Sequence, residues 1–271
     1  MNNRPLKIIT FLSLILTVSV AVASYSGAFV PTTYARDAPS MAAQGIGQDM
    51  VDLFLVVPLL LFSLFLVHRK NRVAYFIFAG TLFYIIYSFV IYSLGVHFNR
   101  LFLWYCLTLG LSLYAFLLTV IQLNQMEVES WFNPKLPVKI IGGYLIFVAV
   151  LFYLLWLKDV VPAILNNTIP QTVSDYNLLV NPVHVLDLSI VLPGFLITAI
   201  LLIKKHRLGF VFAPIALVFI LILTIALIGM VVMLRVKGIS DETSVAGIFA
   251  FLAMISLIFL VLFFRNLRSI V

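Results

Sequence analysis

Asp49 and Asp52 form one pair of ionisable residues in a chain that otherwise carries few charges, and His184 and Asp187 form a second. Each pair is spaced i, i+3, which puts both side chains on one face of a helix. An ionisable group inside a membrane span costs about 2.5–3.5 kcal/mol at the centre on insertion scales, and it normally faces a partner or a wet cavity. Converging on one point, these four residues have the chemistry to hold a cation, a proton or a polar ligand. The competing reading is electrostatic. Each Asp then favours the positive end of its helix and pairs with Arg100, Arg235 or a tyrosine. Asp/His sets also ligate divalent metals, but this spacing matches no metal signature.

The surrounding residues extend the candidate set. Asn181-Pro182 reads as a helix start, with Asn as N-cap and Pro in the first turn. At about 1.5 Å per residue, Asp187 then lies roughly 8 Å into its helix, deeper than a cap. Pro58 and Pro193 each follow an Asp by six residues, and each predicts a kink. Thr81, Tyr84, Tyr87, Ser88 and Tyr92 form a polar stripe that would line a passage or hydrogen-bond between helices. His97 and Arg100 sit in the tight polar turn that follows. The candidate ligand-binding set is therefore Asp49, Asp52, Tyr84, Tyr87, His97, Arg100, His184 and Asp187.

The two acidic sites belong to a sequence repeat. Asp52-Leu53-Phe54-Leu55-Val56-Val57-Pro58 recurs 135 residues later as Asp187-Leu188-Ser189-Ile190-Val191-Leu192-Pro193. Without a gap, residues 52–72 and 187–207 share 8 identities in 21 positions. Apolar matches between membrane helices are cheap. An Asp and a Pro at the same depth, followed by Lys70/Lys205 and Arg72/Arg207, are not. The offset is half of the 271-residue chain, as a duplication of the whole chain would give.

Composition sets the solvent. The chain is 63% hydrophobic and 10% charged, whereas soluble domains carry roughly 25% charged residues. Eight apolar spans are expected near residues 8–30, 50–67, 73–95, 100–122, 138–157, 183–203, 208–234 and 244–264, several exceeding the ~18 residues of a membrane span. The runs are continuous rather than alternating, which disfavours a barrel. Two long connections, 31–49 and 158–182, fall in equivalent places of the two halves. The reading is an all-α polytopic membrane bundle: eight transmembrane helices as a 4+4 parallel pseudo-repeat, residues 1–135 and 136–271. Its pseudo-two-fold axis would lie along the membrane normal.

The net charge of +7 suggests no nucleic acid, because the bases lie in short clusters between apolar runs. With the N-terminus inside, 12 of the 17 Lys and Arg fall on the inner side, so both termini are expected in the cytoplasm of a cell-membrane protein. Residues 1–23 also read as a signal peptide, with a basic start and Ala21-Val22-Ala23 as cleavage pattern. Cleavage would leave seven spans and an external N-terminus. Retention is favoured because apolar character continues to Val30 and the repeat needs a partner for span five. Cys106 is alone, so no internal disulfide forms. Walker, HExxH, GxSxG, complete Rossmann and CxxCH motifs are absent, so no cofactor is named.

Gln44-Gly45-Ile46-Gly47-Gln48-Asp49, the Asp52–Pro58 segment, Phe98-Asn99-Arg100-Leu101-Phe102-Leu103 and the stretch from His206 to Pro214 resemble a group of prokaryotic multi-spanning membrane proteins with no established activity. The resemblance covers most of the chain after about residue 34. It implies a fold pattern and no catalytic residues. The function expected from the residues is a permease or binder of a small polar molecule or ion, through an outward-facing site between spans two and six. A membrane-embedded enzyme using the Asp/His set, or a sensor or assembly subunit, is the alternative.

Overall fold

The computed structural model describes residues 4–241 and 243–268. Eight of its helices are long and apolar enough to cross a membrane: Pro5–Phe29, Pro39–His68, Arg72–Gly95, Phe102–Gln125, Val138–Leu165, Pro182–Ile203, Arg207–Val236 and Thr243–Arg265. These are spans one to eight. Among the described residues no strand forms, and a single bridge joins Phe132 to Leu267. Together the helices make a multi-pass membrane protein. In a bilayer this follows from the backbone, since helices satisfy their own N–H and C=O groups where no water can.

Spans three and seven form the centre, with 72% and 56% of their most apolar windows buried. They cross at Gly80, where a Cβ would press on Val218 and on the carbonyl of Ile215. The other spans surround this pair and turn apolar side chains such as Phe62, Leu103, Leu154 and Ile197 outward. Two further crossings depend on the absence of a side chain. Gly47 of span two lies backbone to backbone against Gly229 of span seven, and Gly95 of span three lies against the ring of Pro182 in span six. Small residues let membrane helices approach this closely.

Span two departs from the sequence expectation. It starts at Pro39, not near residue 50, so the connection from span one shrinks to residues 30–38. Hydropathy missed these turns because Gln48 and Asp49 are buried against protein and the small residues serve packing rather than lipid. Span five likewise runs on to Leu165, and the following connection contains a short helix, Gln171–Ser174.

The two acid-proline segments fold alike. Each contains a π-helical turn that begins on its Asp, Asp52–Val56 and Asp187–Val191. In each, the residue before the proline donates back to that Asp, Val57 N–H to the Asp52 carbonyl and Leu192 N–H to the Asp187 carbonyl. The feature marked by Pro58 and Pro193 is thus a π turn on their N-terminal side, a device common at functional sites. Both helices also end alike. Lys70 (φ 58°) and Lys205 (φ 55°) adopt the left-handed conformation. The next N–H reaches back six residues in sequence terms of the closing motif, from Asn71 to Leu66 O (3.1 Å) and from His206 to Leu201 O (2.8 Å).

Gly→Ala in a helix is intrinsically favourable by about 0.5–1 kcal/mol. Gly143→Ala, whose Cβ meets nothing within 4 Å, should therefore hold or raise the melting temperature in detergent. Gly47→Ala should lower stability by about 1–3 kcal/mol, because a backbone carbonyl occupies the space its methyl needs. Equal melting curves for the two variants would contradict the Gly47–Gly229 crossing.

Candidate functional site

Span three supplies the donors for all three candidate acids. The Tyr84 hydroxyl donates to Asp52 Oδ1 (2.8 Å) and the Tyr92 hydroxyl to Asp49 Oδ1 (3.0 Å). Tyr87, one turn from Tyr84, stands beside the Asp187 carboxylate. The remaining donors come from elsewhere. Tyr34, in the connection between spans one and two, donates to Asp49 Oδ2 at 2.5 Å. Trp156 of span five donates its indole N–H to Asp187 Oδ2 at 2.7 Å. Burial, with the Asp49 carboxylate beside it, holds the Tyr34 hydroxyl protonated well above the usual tyrosine range. Tyr34 therefore acts as a donor at any physiological pH.

Asp49, Asp52 and Asp187 are all buried. Among the described residues no Lys, Arg or His pairs with any of them. Their partners are neutral hydroxyl and indole groups, and Asp52 Oδ2 has no hydrogen-bond partner at all. Gly27 of span one makes room for this cluster, because a Cβ there would overlap the Asp49 carboxylate and the Tyr34 hydroxyl. Leaving a buried polar atom unpaired costs about 1–3 kcal/mol, so Asp52 is a liability that packing alone would not retain.

A cavity of about 250 Å³ lies in front of the cluster. Span two contributes Gln44 and Gln48, span three Tyr87, Ser88 and Tyr92, span five Phe152 and Trp156, and span six Asp187. Tyr34 and Tyr176, from the connections, complete its polar wall. Asp187 reaches this cavity, whereas Asp49 and Asp52 lie behind its tyrosines. Gln44 Nε2 donates to the Tyr176 hydroxyl (2.9 Å), bridging span two and the connection before span six across the cavity end. A second recess, of about 470 Å³ and mainly apolar, lies beside the outer turn of span three with His97 at its edge.

Several candidate residues stand elsewhere. His97 takes the Asp37 carboxylate through both its backbone N–H and Nδ1, each at 2.9 Å, and so ties the two connections at this end together. Arg100 is exposed and touches none of the acids. His184 does not join Asp187. Its ring packs on Trp156 with centroids 4.9 Å apart, and Nε2 faces Asp159 at 3.9 Å. Arg235, the other cation weighed as an acid partner, faces Asp241 at 3.7 Å. Among the described residues no group of three His, Cys, Asp or Glu is placed to hold a metal ion.

Sequence reasoning missed Tyr34, Gln44, Gln48, Trp156 and Tyr176 as site residues. Tyr92 was visible in the polar stripe. Trp156 carries the signature of an interfacial tryptophan, and only its span-five register against Asp187 reveals its donor role. Comparison with family models, curated proteins and solved structures finds no match to this chain.

The Tyr84–Asp52 contact should appear in a double-mutant cycle. Tyr84→Phe and Asp52→Asn, each alone and combined, should show a coupling of about 1–2 kcal/mol in detergent unfolding. Arg100→Ala should change stability by less than about 0.5 kcal/mol. Additive effects of the first pair would mean that the hydroxyl does not serve the carboxyl.

Proposed function

We propose that the protein binds a small molecule or ion in the cavity between its two halves and acts as a permease for it. One observation carries the reading. A cavity of about 250 Å³ in a membrane bundle is walled by five spans or connections, and buried carboxyl and hydroxyl groups converge on it. Ligand sites in helical membrane proteins lie between helices, and an uncompensated ionisable group there is a functional signal by default. The enzyme reading is weaker because His184, the only candidate base beside the acids, is turned to Asp159.

The halves are residues 1–135 and 136–271, related as a 4+4 parallel pair. Three crossings support this. Gly80 meets Ile215, its own equivalent 135 residues on. Gly47 and Pro182, also 135 apart, each pack against the other half at Gly229 and Gly95. The paired π turns and left-handed lysines fall at the same offset. Such symmetry places a site at the interface of the repeats. Retention of span one is supported by its role at the cluster, through Gly27, and by the Ser19–Thr108 hydrogen bond of 2.6 Å. The basic turns at residues 69–72 and 204–207 lie at the opposite end from the cavity, so the positive-inside rule turns the cavity outward with both termini cytoplasmic.

Accessibility tests the reading. In a Cys106→Ala background, Ser88→Cys in sealed vesicles should react with an impermeant maleimide added to the outer face. Gln44→Leu, which removes the bond to Tyr176, should speed that reaction several-fold. A thiol at 88 that stays unreactive from both faces would overturn the cavity as a site.

A further inference from the structure

The cavity's walls also define what it would accept. We infer that its ligand is an organic cation, an amine or quaternary ammonium with an apolar body. This rests on the binding reading above and names the ligand class.

Charge gives the first constraint. No Lys, Arg or His lines the cavity, and Asp187 is its one carboxyl. An anion would find no cationic partner there and would face that carboxylate. The nearest imidazole, His184, lies behind Trp156 and points to Asp159, so it does not offset the acid.

The walls give the second constraint. Tyr87, Tyr92, Phe152, Trp156 and Tyr176 present aromatic surface around the space. Aromatic faces attract ammonium groups through the ring quadrupole, and such cages are how proteins recognise choline-like and methylated amines. A bare metal ion needs six or more oxygen ligands at 2.0–2.6 Å, which a mainly carbon-lined cavity of about 250 Å³ does not offer. A sugar would leave most of its hydroxyls without partners against these walls.

Geometry gives the third. The indole N–H of Trp156 fixes Asp187 Oδ2 at 2.7 Å, so the carboxyl is oriented before any ligand arrives. The same tryptophan offers its ring to the cavity. The carboxylate neutralises the ammonium and the aromatic faces take its methyl or methylene groups, which is less costly than ordering either afterwards.

The probe is benzyltrimethylammonium, compared with its neutral carbon isostere 2,2-dimethylpropylbenzene and with the anion benzenesulfonate. Binding to the full chain in detergent is followed by thermal shift, and location by protection of the thiol in Ser88→Cys from maleimide. The cation should bind saturably, protect that thiol, and bind at least about tenfold more tightly than the isostere. Benzenesulfonate should do neither. Asp187→Asn should reduce affinity for the cation about tenfold or more and leave the isostere unchanged. If that variant fails to fold, the cation–isostere comparison on the unmodified protein still decides. Equal binding of cation and isostere, or a reactive thiol at 88 that the cation does not protect, would overturn the ligand class and leave the cavity standing. A thiol unreactive from both faces, with no binding, would overturn both.

Discussion

Three carboxyl groups buried without a basic partner are the constraint around which this molecule is arranged. In a bilayer the bundle has no water to lend them, and no lysine or arginine is spent on them. Their needs are met by Tyr34, Tyr84, Tyr87, Tyr92 and Trp156. This explains why span three is the most buried helix. It must stand close enough to spans two and six for one turn of tyrosines to serve an acid from each. The glycines follow from the same demand. Gly27 yields space to Asp49 and Tyr34, while Gly47 lets span two sit against span seven. A cluster held by neutral donors keeps its polar character available, whereas an arginine would have neutralised it in place.

The halves share a scaffold but not the chemistry on it. The span-seven positions 135 residues beyond Tyr84, Tyr87 and Tyr92 are Phe219, Ile222 and Leu227. Phe219 packs edge-on against Tyr87, with centroids 5.3 Å apart, and so supports the tyrosine it replaces. Donors therefore come from one central helix and apolar backing from the other. The cavity is accordingly lopsided, with both glutamines from span two and both Trp156 and Asp187 from the second half.

Membrane class and all eight helices were legible because continuous apolar length is a strong signal. The acids were legible because charge inside such a run is rare. What the sequence hid was pairing across space. Arg100 looked like a partner for an Asp because it lies in the adjoining turn, yet that turn carries its side chain into solvent, while Asn99 closes the turn by accepting from Leu101 N–H at 2.8 Å. His184 shares a helix face with Asp187 by spacing, but it is claimed by Asp159 from the end of span five, 25 residues away. The first turns of span two were hidden because polar residues facing a protein interior read, in one dimension, as a loop.

The π turns bear on how such helices can be read and altered. A π turn takes up one residue more than an α turn, and one residue is about 100° of rotation. The outer and inner stretches of span two are therefore out of phase, as are those of span six. A helical wheel drawn through either whole span would scatter its carboxyl across the lipid-facing stripe, although the folded helix turns it inward. Each span behaves as two short helices with independent facing, joined by a one-residue phase correction. The outer stretch is thus free to follow the site while the inner one follows the lipid.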